Sequence, residues 1–95
     1  MNYNEGMVFK DDAFTLRIYT GIVLTGGTVS IYALKPDDTQ EIWTGSVATD
    51  PKYISYLLQA GDLDQEGIYW LRSHISRGSL NKIGDWIMFT VEPRW

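Results

Sequence analysis

Residues 26 to 69 read GGTVSIYALKPDDTQEIWTGSVATDPKYISYLLQAGDLDQEGIY, and this stretch decides the fold. It opens on the alternating run Thr-Val-Ser-Ile-Tyr-Ala-Leu at residues 28 to 34, whose apolar side chains fall on one face of a strand. A Lys-Pro-Asp-Asp-Thr turn follows at residues 35 to 39, and an Asp-x-x-Gly-x-Tyr corner closes the stretch at residues 64 to 69. Alternating runs separated by turn residues predict antiparallel strands stacked as a sandwich.

Turn residues recur at roughly ten-residue spacing along the whole chain, which leaves room for about seven strands. The predicted strands are Met7 to Phe9, Ala13 to Thr20, Thr28 to Leu34, Gln40 to Ala48, Tyr53 to Leu58, Gly67 to Ser76 and Asp85 to Glu92. No window keeps the apolar spacing of a helix, although residues 59 to 66 are expected to form one helical turn with Asp62 as its N-cap. The sequence therefore predicts an all-β, immunoglobulin-like antiparallel β-sandwich as a single domain over residues 1 to 95.

Alternation along these strands separates inward side chains from outward ones. The predicted inward side chains are Phe14, Leu16, Ile18, Val29, Ile31, Ala33, Ile42, Ile54, Tyr56, Leu58, Tyr69, Leu71, Ile75, Ile87, Phe89 and Val91. The large side chains predicted to point outward are Tyr19, Tyr32, Trp43, Trp70, Trp86 and Met88. The inward set is large enough to form a two-sheet core.

The composition argues against several classes of partner. Eight basic residues against 12 acidic ones give a net charge of −4, so the chain lacks the basic face that binding to nucleic acid requires. The chain contains no cysteine, which excludes a disulfide framework and thiolate-zinc sites. No apolar run approaches the ~18 residues of a membrane span. Neither nucleic acid nor a membrane is therefore an expected partner.

Aromatic side chains are more numerous than a core of this size needs, with four Trp, six Tyr and three Phe in 95 residues. In immunoglobulin-like order the last two strands pair, which predicts that Trp70, Arg72, Trp86 and Met88 share one outer face, with Tyr32 on the same side. Three interpretations of this cluster stay open. The rings stiffen the sheet by stacking across strands, form a protein interface, or offer a platform for sugar rings.

The sequence offers few candidates for chemistry. His74 is the only histidine and falls on an outward position, with no nucleophile or orienting partner that can be named for it. No serine stands in a Gly-x-Ser-x-Gly setting. Asp62, Asp64 and Glu66 recur at alternate positions, but a calcium site needs several more oxygen ligands than these three. The sequence therefore predicts a protein that is not an enzyme, with no catalytic, metal-binding or cofactor-binding residue and no cofactor.

The motif at residues 64 to 69 is typical of a tyrosine corner. In such a corner the tyrosine hydroxyl reaches back to upstream backbone and fixes the crossover between the sheets. Asp64, Gly67 and Tyr69 are the predicted corner residues. Leu71 stands two residues later, where a true immunoglobulin domain has its second cysteine. The motif therefore predicts an architectural role with no part in chemistry.

Several stretches together carry a resemblance to a known family. They are Leu24-Thr25-Gly26-Gly27-Thr28-Val29, Leu34-Lys35-Pro36-Asp37-Asp38-Thr39, Gly61-Asp62-Leu63 with Glu66-Gly67-Ile68-Tyr69, and Phe89-Thr90-Val91-Glu92-Pro93. In this order, over residues 8 to 93, the chain resembles the N-terminal immunoglobulin-like β-sandwich domain of bacteriophage baseplate upper proteins and related phage structural modules.

The resemblance implies a structural or adaptor component of a phage or prophage virion or tail. Such a protein packs against other virion proteins or, as a homo-oligomer, against copies of itself, and it is located in the virion after synthesis in the bacterial host cytoplasm. Baseplate upper proteins continue into a linker and further domains, whereas this sequence ends at Trp95, so both a stand-alone module and a fragment fit the resemblance. The alternative function is that of a carbohydrate-binding β-sandwich module for recognition of the host cell surface.

Overall fold

The computed structural model of the chain describes residues 8–59 and 61–93. These residues form nine β-strands and no helix. The strands are β1 (Val8–Phe9), β2 (Thr15–Tyr19), β3 (Thr28–Leu34), β4 (Gln40–Thr44), β5 (Ser46–Val47), β6 (Tyr53–Leu57), β7 (Gly67–Arg77), β8 (Leu80–Ile83) and β9 (Ile87–Glu92). The predicted all-β class is therefore confirmed, and the predicted count of about seven strands is corrected to nine in the described residues.

The strands form two sheets that pack face to face. The larger sheet has six strands in the order β1-β9-β7-β3-β4, and β8 pairs with β7 beyond the end of β9. The smaller sheet has three strands in the order β2-β6-β5. All neighbours are antiparallel except β1 and β9, which are parallel. The central strands β3 and β7 pair over seven residues and form the middle of the larger sheet.

The core lies between the sheets and follows the alternation of the strands. Its buried hydrophobic side chains are Ile18, Leu24, Val29, Ile31, Ala33, Trp43, Ile54, Leu58, Leu63, Tyr69, Leu71, Ile75 and Val91. On β3 and β7 every second residue is buried, as a half-buried strand requires. Leu24 and Leu63 come from loops, which cover the two ends of the core.

The predicted orientation of β4 is wrong. Trp43, predicted to point outward, is only 4% exposed, and Ile42, predicted to point inward, is 60% exposed. The register explains the reversal, because Trp43 pairs with the buried Ile31 and Ile42 pairs with Tyr32 on the opposite face. The predicted single strand Gln40 to Ala48 also ends at Thr44. The chain crosses to the smaller sheet at Gly45 and continues there as β5.

Three smaller corrections concern loops and strand ends. Residues 61 to 66 form turns and bends and not the expected helical turn, of which residue 60 lies outside the described residues. The Asp62 carboxylate accepts a hydrogen bond from the backbone N–H of Gln59 at 2.8 Å. The chain after β7 turns back as a hairpin into β8, which the sequence did not predict, and β9 begins at Ile87 and not at Asp85. Met7, the first residue of the predicted first strand, lies outside the described residues.

Candidate functional site: the outer face of the larger sheet

Large apolar side chains cover the outer face of the larger sheet. The outward positions of β3, β4, β7, β8 and β9, together with Trp86 just before β9, form a surface that we call the apolar face. Its apolar members are Tyr32, Leu34, Ile42, Ile68, Trp70, Ile83, Trp86 and Met88. Six of them, all except Tyr32 and Leu34, are between 39% and 60% exposed.

Strand register makes the apolar face continuous. Trp70 on β7 pairs with Met88 on one side and with Leu34 on the other. One step along the sheet, Tyr32 pairs with both Arg72 and Ile42. Directly paired side chains on one face of an antiparallel sheet lie within contact distance. The apolar face therefore extends without interruption across β4, β3, β7 and β9.

The exposed apolar area exceeds what an ordinary surface strand shows. The six exposed side chains together present about 600 Å² to solvent, the upper end of the largest patch on a typical monomer. Single exposed apolar residues are common on protein surfaces, whereas a contiguous patch of this area is often functional. The area and continuity of the apolar face make it the candidate functional site.

The outward positions of β3, β4, β7 and β8, all in the described part of the chain, carry one charged residue, Arg72. Its guanidinium carbon lies 4.6 Å from the centre of the Trp86 ring, a cation–π distance. Its Nε donates a hydrogen bond to the carbonyl oxygen of Gly84 at 3.4 Å. These contacts hold Trp86 against the sheet, although Trp86 itself precedes β9.

The structure brings together the predicted interface residues. Trp70, Arg72, Met88 and Tyr32 lie on adjacent strands of the outer face, and Trp86 joins them through Arg72. The sequence did not identify four further apolar members of this face, which are Leu34, Ile42, Ile68 and Ile83. Leu34 and Ile68 do fall on outward positions by simple alternation from Tyr32 and Trp70, so the same rule could have found them.

The predicted corner residues lie at one end of the sandwich. Tyr69 is fully buried, its hydroxyl accepts a hydrogen bond from the backbone N–H of Gln65 at 3.2 Å, and its ring stacks on Phe89 at 5.6 Å. Burial raises the pKa of Tyr69. Gly67 has a φ of 122°, and a side chain there would place its Cβ 3.1 Å from Pro36. Gly67 therefore allows the loop after β3 to pack on the corner.

A buried lysine joins the corner to β4. The Lys35 ammonium lies 2.9 Å from Asp64 Oδ1 and 3.3 Å from Glu41 Oε2. Burial lowers the pKa of Lys35, but the bonds to Asp64 and Glu41 outweigh burial and hold that pKa above its ordinary value. Two of the three acids that recur at alternate positions, Asp62 and Asp64, therefore have structural contacts, since Asp62 also accepts a hydrogen bond from the Tyr56 hydroxyl at 2.7 Å.

A groove lies on the other side of the molecule, between β2 and the inner face of β8 and β9. It consists of an apolar cleft of about 220 Å³ that includes Phe14 and Phe89, and a cleft of about 510 Å³ that includes Ser73 and Lys82. Ile18 and Ile87 line both clefts. Ile87 faces inward as predicted, yet it is exposed, because the three-stranded sheet does not extend over it.

The described residues do not form a recognisable catalytic or metal-binding arrangement. Ser73 faces the core side of β7, whereas His74 faces outward and packs edge-on against Tyr32 at 5.2 Å, so the two side chains cannot act as a pair. Within residues 8–59 and 61–93, no group of three or more His, Cys, Asp or Glu side chains is placed to hold a metal ion. No helix in this part of the chain is long and apolar enough to cross a membrane.

Comparison with known proteins returns no match. No family model, no curated protein and no solved structure matches this chain.

Proposed function

We propose that this chain is a non-enzymatic structural or adaptor protein of a phage or prophage virion, located in the tail or baseplate region, and that it acts by packing its apolar face against another protein. The observation that carries the proposal is the continuous, exposed and nearly uncharged apolar face. Interface cores are depleted in charged residues and enriched in aromatic residues, Met and Arg, which is the composition of this face.

The strand order supports an immunoglobulin-like sandwich. In that fold the strands G, F and C, extended by C′ in variable-type domains, form one sheet, and B, E and D belong to the other. The order β9-β7-β3-β4 in the larger sheet and β2-β6-β5 in the smaller sheet fits this scheme. Tyr69, at the start of β7, occupies the position of the tyrosine corner on strand F.

The phage context is supported by the sequence resemblance to the N-terminal domain of baseplate upper proteins. Virion assembly needs small modules that fold stably and present a constant surface to neighbours. A rigid sheet whose outer face carries the binding surface meets that need, because side chains fixed on paired strands lose little conformational freedom on binding. Synthesis takes place in the bacterial cytoplasm, and the assembled virion is the site of action.

The proposal is tested on phage particles purified from the bacterium that carries the gene. Mass spectrometry of the particles should detect the protein at a stoichiometry comparable to that of other tail components. A Trp70→Ser variant should be incorporated at least about tenfold less, because truncation of a central aromatic side chain removes an anchor of the interface. Leu57→Ser, a change at an exposed position on the smaller sheet, is the control and should be incorporated like the wild type. Absence of the wild-type protein from the particles would overturn the proposal.

A carbohydrate-binding module is the second candidate function. The observation that favours it is that two partly exposed indoles, Trp70 and Trp86, lie on one face with Arg72 between them. Stacking of a sugar ring on either indole should quench its fluorescence when host cell-wall polysaccharide is titrated in. The signal must disappear in a Trp70→Phe/Trp86→Phe variant, which keeps Trp95 and the buried Trp43. A flat titration with the wild type would remove this candidate.

A further inference from the structure

We propose that the apolar face is the interface of a symmetric homodimer, in which a second copy of this chain packs the same face against the first. This inference rests on the proposed function, because it names the partner of the same face. Two-fold dimers are the commonest homo-oligomers, and their interface must be complementary to itself. The size, relief and charge of the apolar face each meet this condition.

The apolar face has the area that a dimer needs. Four lines of strand, β4, β3, β7 and the combined line of β8 and β9, span about 20 Å at ordinary strand spacing, and the 11-residue β7 extends for about 35 Å. Because β4 has 5 residues, β3 has 7, and β8 and β9 together have 10, the footprint is about 500 Å² per copy. The two copies together would bury about 1,000 Å², the least area expected of a specific interface.

The relief of the face is self-complementary. Leu34 and Tyr32 on β3 are half-buried, whereas the neighbouring Trp70 and Met88 on β7 and β9 are exposed. A two-fold axis parallel to the strands and midway between β3 and β7 sets the β7 of one copy over the β3 of the other. Because Trp70 and Leu34 are paired in register, each Trp70 then packs on Leu34 of the second copy.

The same axis accommodates the one charge in the middle of the face. Arg72 and Tyr32 are also paired in register, so each Arg72 lies opposite the second copy's Tyr32, with its guanidinium towards Trp86, and the two Arg72 side chains stay apart. A guanidinium over an aromatic ring is attractive, whereas two opposed guanidinium groups would repel each other. An axis perpendicular to the strands could set β7 on β7, with the two charges close together.

The outer strands also become complementary. Ile42 lies beside Tyr32 at the β4 edge, and Trp86 lies beside Arg72 towards β9. The axis brings β4 of one copy opposite β9 of the other, so Ile42 covers the second copy's Trp86. Ile42 is 60% exposed in the single chain, and its burial together with Trp86 removes apolar area from water at both ends of the interface.

Light scattering over a concentration series tests the dimer. The wild type should change from monomer to dimer as the concentration rises, and Ile42→Lys should weaken this association at least about tenfold, because it places an unpaired charge in the interface. Leu57→Lys is the matched control, since Leu57 is 58% exposed but lies on the smaller sheet. Circular dichroism and thermal melting establish that each variant is folded.

Each outcome of this experiment decides the question. A wild type that stays monomeric up to millimolar concentration overturns the dimer, and so does an Ile42→Lys variant that associates as strongly as the wild type. Equal weakening by Leu57→Lys would place the contact elsewhere and would also overturn it. The proposed function fails separately, through incorporation of Trp70→Ser into phage particles at the wild-type level, so a monomer that still needs Trp70 for incorporation would refute only the dimer.

Cross-linking tests the direction of the axis. The natural chain has no cysteine, so chains carrying Gln40→Cys can be mixed with chains carrying Met88→Cys and treated with a short bis-maleimide. Gln40 on β4 pairs with Leu34, and Met88 on β9 pairs with Trp70. The axis therefore sets position 40 of one copy opposite position 88 of the other. The mixture should cross-link, whereas either variant alone should not. Equal cross-linking of Gln40→Cys alone would refute this axis.

Discussion

The two lateral edges of the sandwich are built differently. At the β4–β5 edge the chain crosses between the sheets at Gly45, and Trp43 fills the space behind the crossing, stacked on Tyr56 with ring centres 5.1 Å apart and an angle of 7° between the planes. At the β2–β9 edge the crossing at residues 10 to 14 lies at one end only, and the groove beside it is lined by half-buried side chains such as Phe14. Trp43 is therefore buried where the path of the chain covers it, whereas Phe14 beside the groove stays half-buried.

Polar contacts reinforce the β4–β5 edge. The indole N–H of Trp43 donates a hydrogen bond to Glu41 at 3.1 Å, and Glu41 in turn pairs with Lys35. Tyr56 donates its hydroxyl hydrogen to Asp62. Buried Trp and Tyr side chains are favourable when their polar atoms find partners, so both rings of the stack meet this requirement. The edge combines apolar packing with satisfied polar groups.

Removal of the Trp43 indole at the β4–β5 edge should have the largest effect on stability. Trp43→Ala is expected to lower the free energy of unfolding by about 3–5 kcal/mol, because it leaves a cavity in the core and removes the hydrogen bond to Glu41 Oε1. Urea denaturation measures the change. Ile42→Ala, at the exposed neighbouring position, is the control and should cost less than about 0.5 kcal/mol at a concentration where the chain is monomeric. Similar costs for the two variants would mean that the orientation of β4 is reversed.

The crossing between the sheets at Gly45 should be the next most sensitive to substitution. A Cβ at Gly45 would lie 2.7 Å from Cγ2 of the fully buried Ile54, so Gly45→Ala is expected to cost about 1–3 kcal/mol through overpacking. A double-mutant cycle with Ile54→Ala checks the cause, because removal of that methyl group should abolish most of the cost of the alanine at position 45. Additive effects of the two substitutions would show that the strain has another source.

The β2–β9 edge should tolerate truncation of an aromatic side chain better than the β4–β5 edge does. Phe14 is inward-facing but only half-buried, so Phe14→Ala should lower the free energy of unfolding by about 1–2 kcal/mol, well below the 3–5 kcal/mol typical of a fully buried aromatic ring. The same urea measurement gives the comparison with Trp43→Ala. A cost as large as that of Trp43→Ala would mean that the groove is covered in solution.

The middle of the larger sheet was the part that the sequence predicted best. The predicted strand Thr28 to Leu34 coincides with β3, and the predicted Gly67 to Ser76 differs from β7 by one residue. Both strands are long, alternate strictly and pair on both sides, so local pattern and tertiary environment agree. The same alternation placed Trp70 and Met88 on the outer face, next to each other in register.

The strands at the edges were predicted less well for physical reasons. Residues 40 to 48 carry apolar side chains at both Ile42 and Trp43, so alternation alone cannot choose the inward one, and pairing with Ile31 decides it. The strand β8 has no alternating pattern, since Leu80 and Ile83 are three residues apart. Its extended conformation follows from pairing with the long β7, which local sequence does not reveal.

The smallest expected effect is a loss of stability at alkaline pH, which also tests the β4–β5 edge. Burial, and next the bond to Asp62, raises the pKa of Tyr56, and the carboxylates of Asp64 and Glu41 hold the pKa of Lys35 above its ordinary value against the effect of burial. In both cases the folded chain keeps its proton at a pH where the unfolded chain releases it. Stability should therefore be complete below the ordinary values of about 10 for Tyr and 10.4 for Lys and decrease as the pH rises through them.

Tyr56 should contribute a loss of about 0.4 kcal/mol when the pH equals its unfolded pKa, and Lys35 should add a loss in the same direction. Urea denaturation at pH 8, 9, 10 and 10.5 measures the decrease. Tyr56→Phe should reduce the slope above pH 10, because it removes one of the titrating groups while the stack on Trp43 remains. Phe14→Ala, at the β2–β9 edge, should keep the wild-type slope, because it changes no titrating group. An unchanged slope in Tyr56→Phe would mean that the hydroxyl is as accessible to water in the folded chain as in the unfolded one. The β4–β5 edge would then be open to solvent at Tyr56.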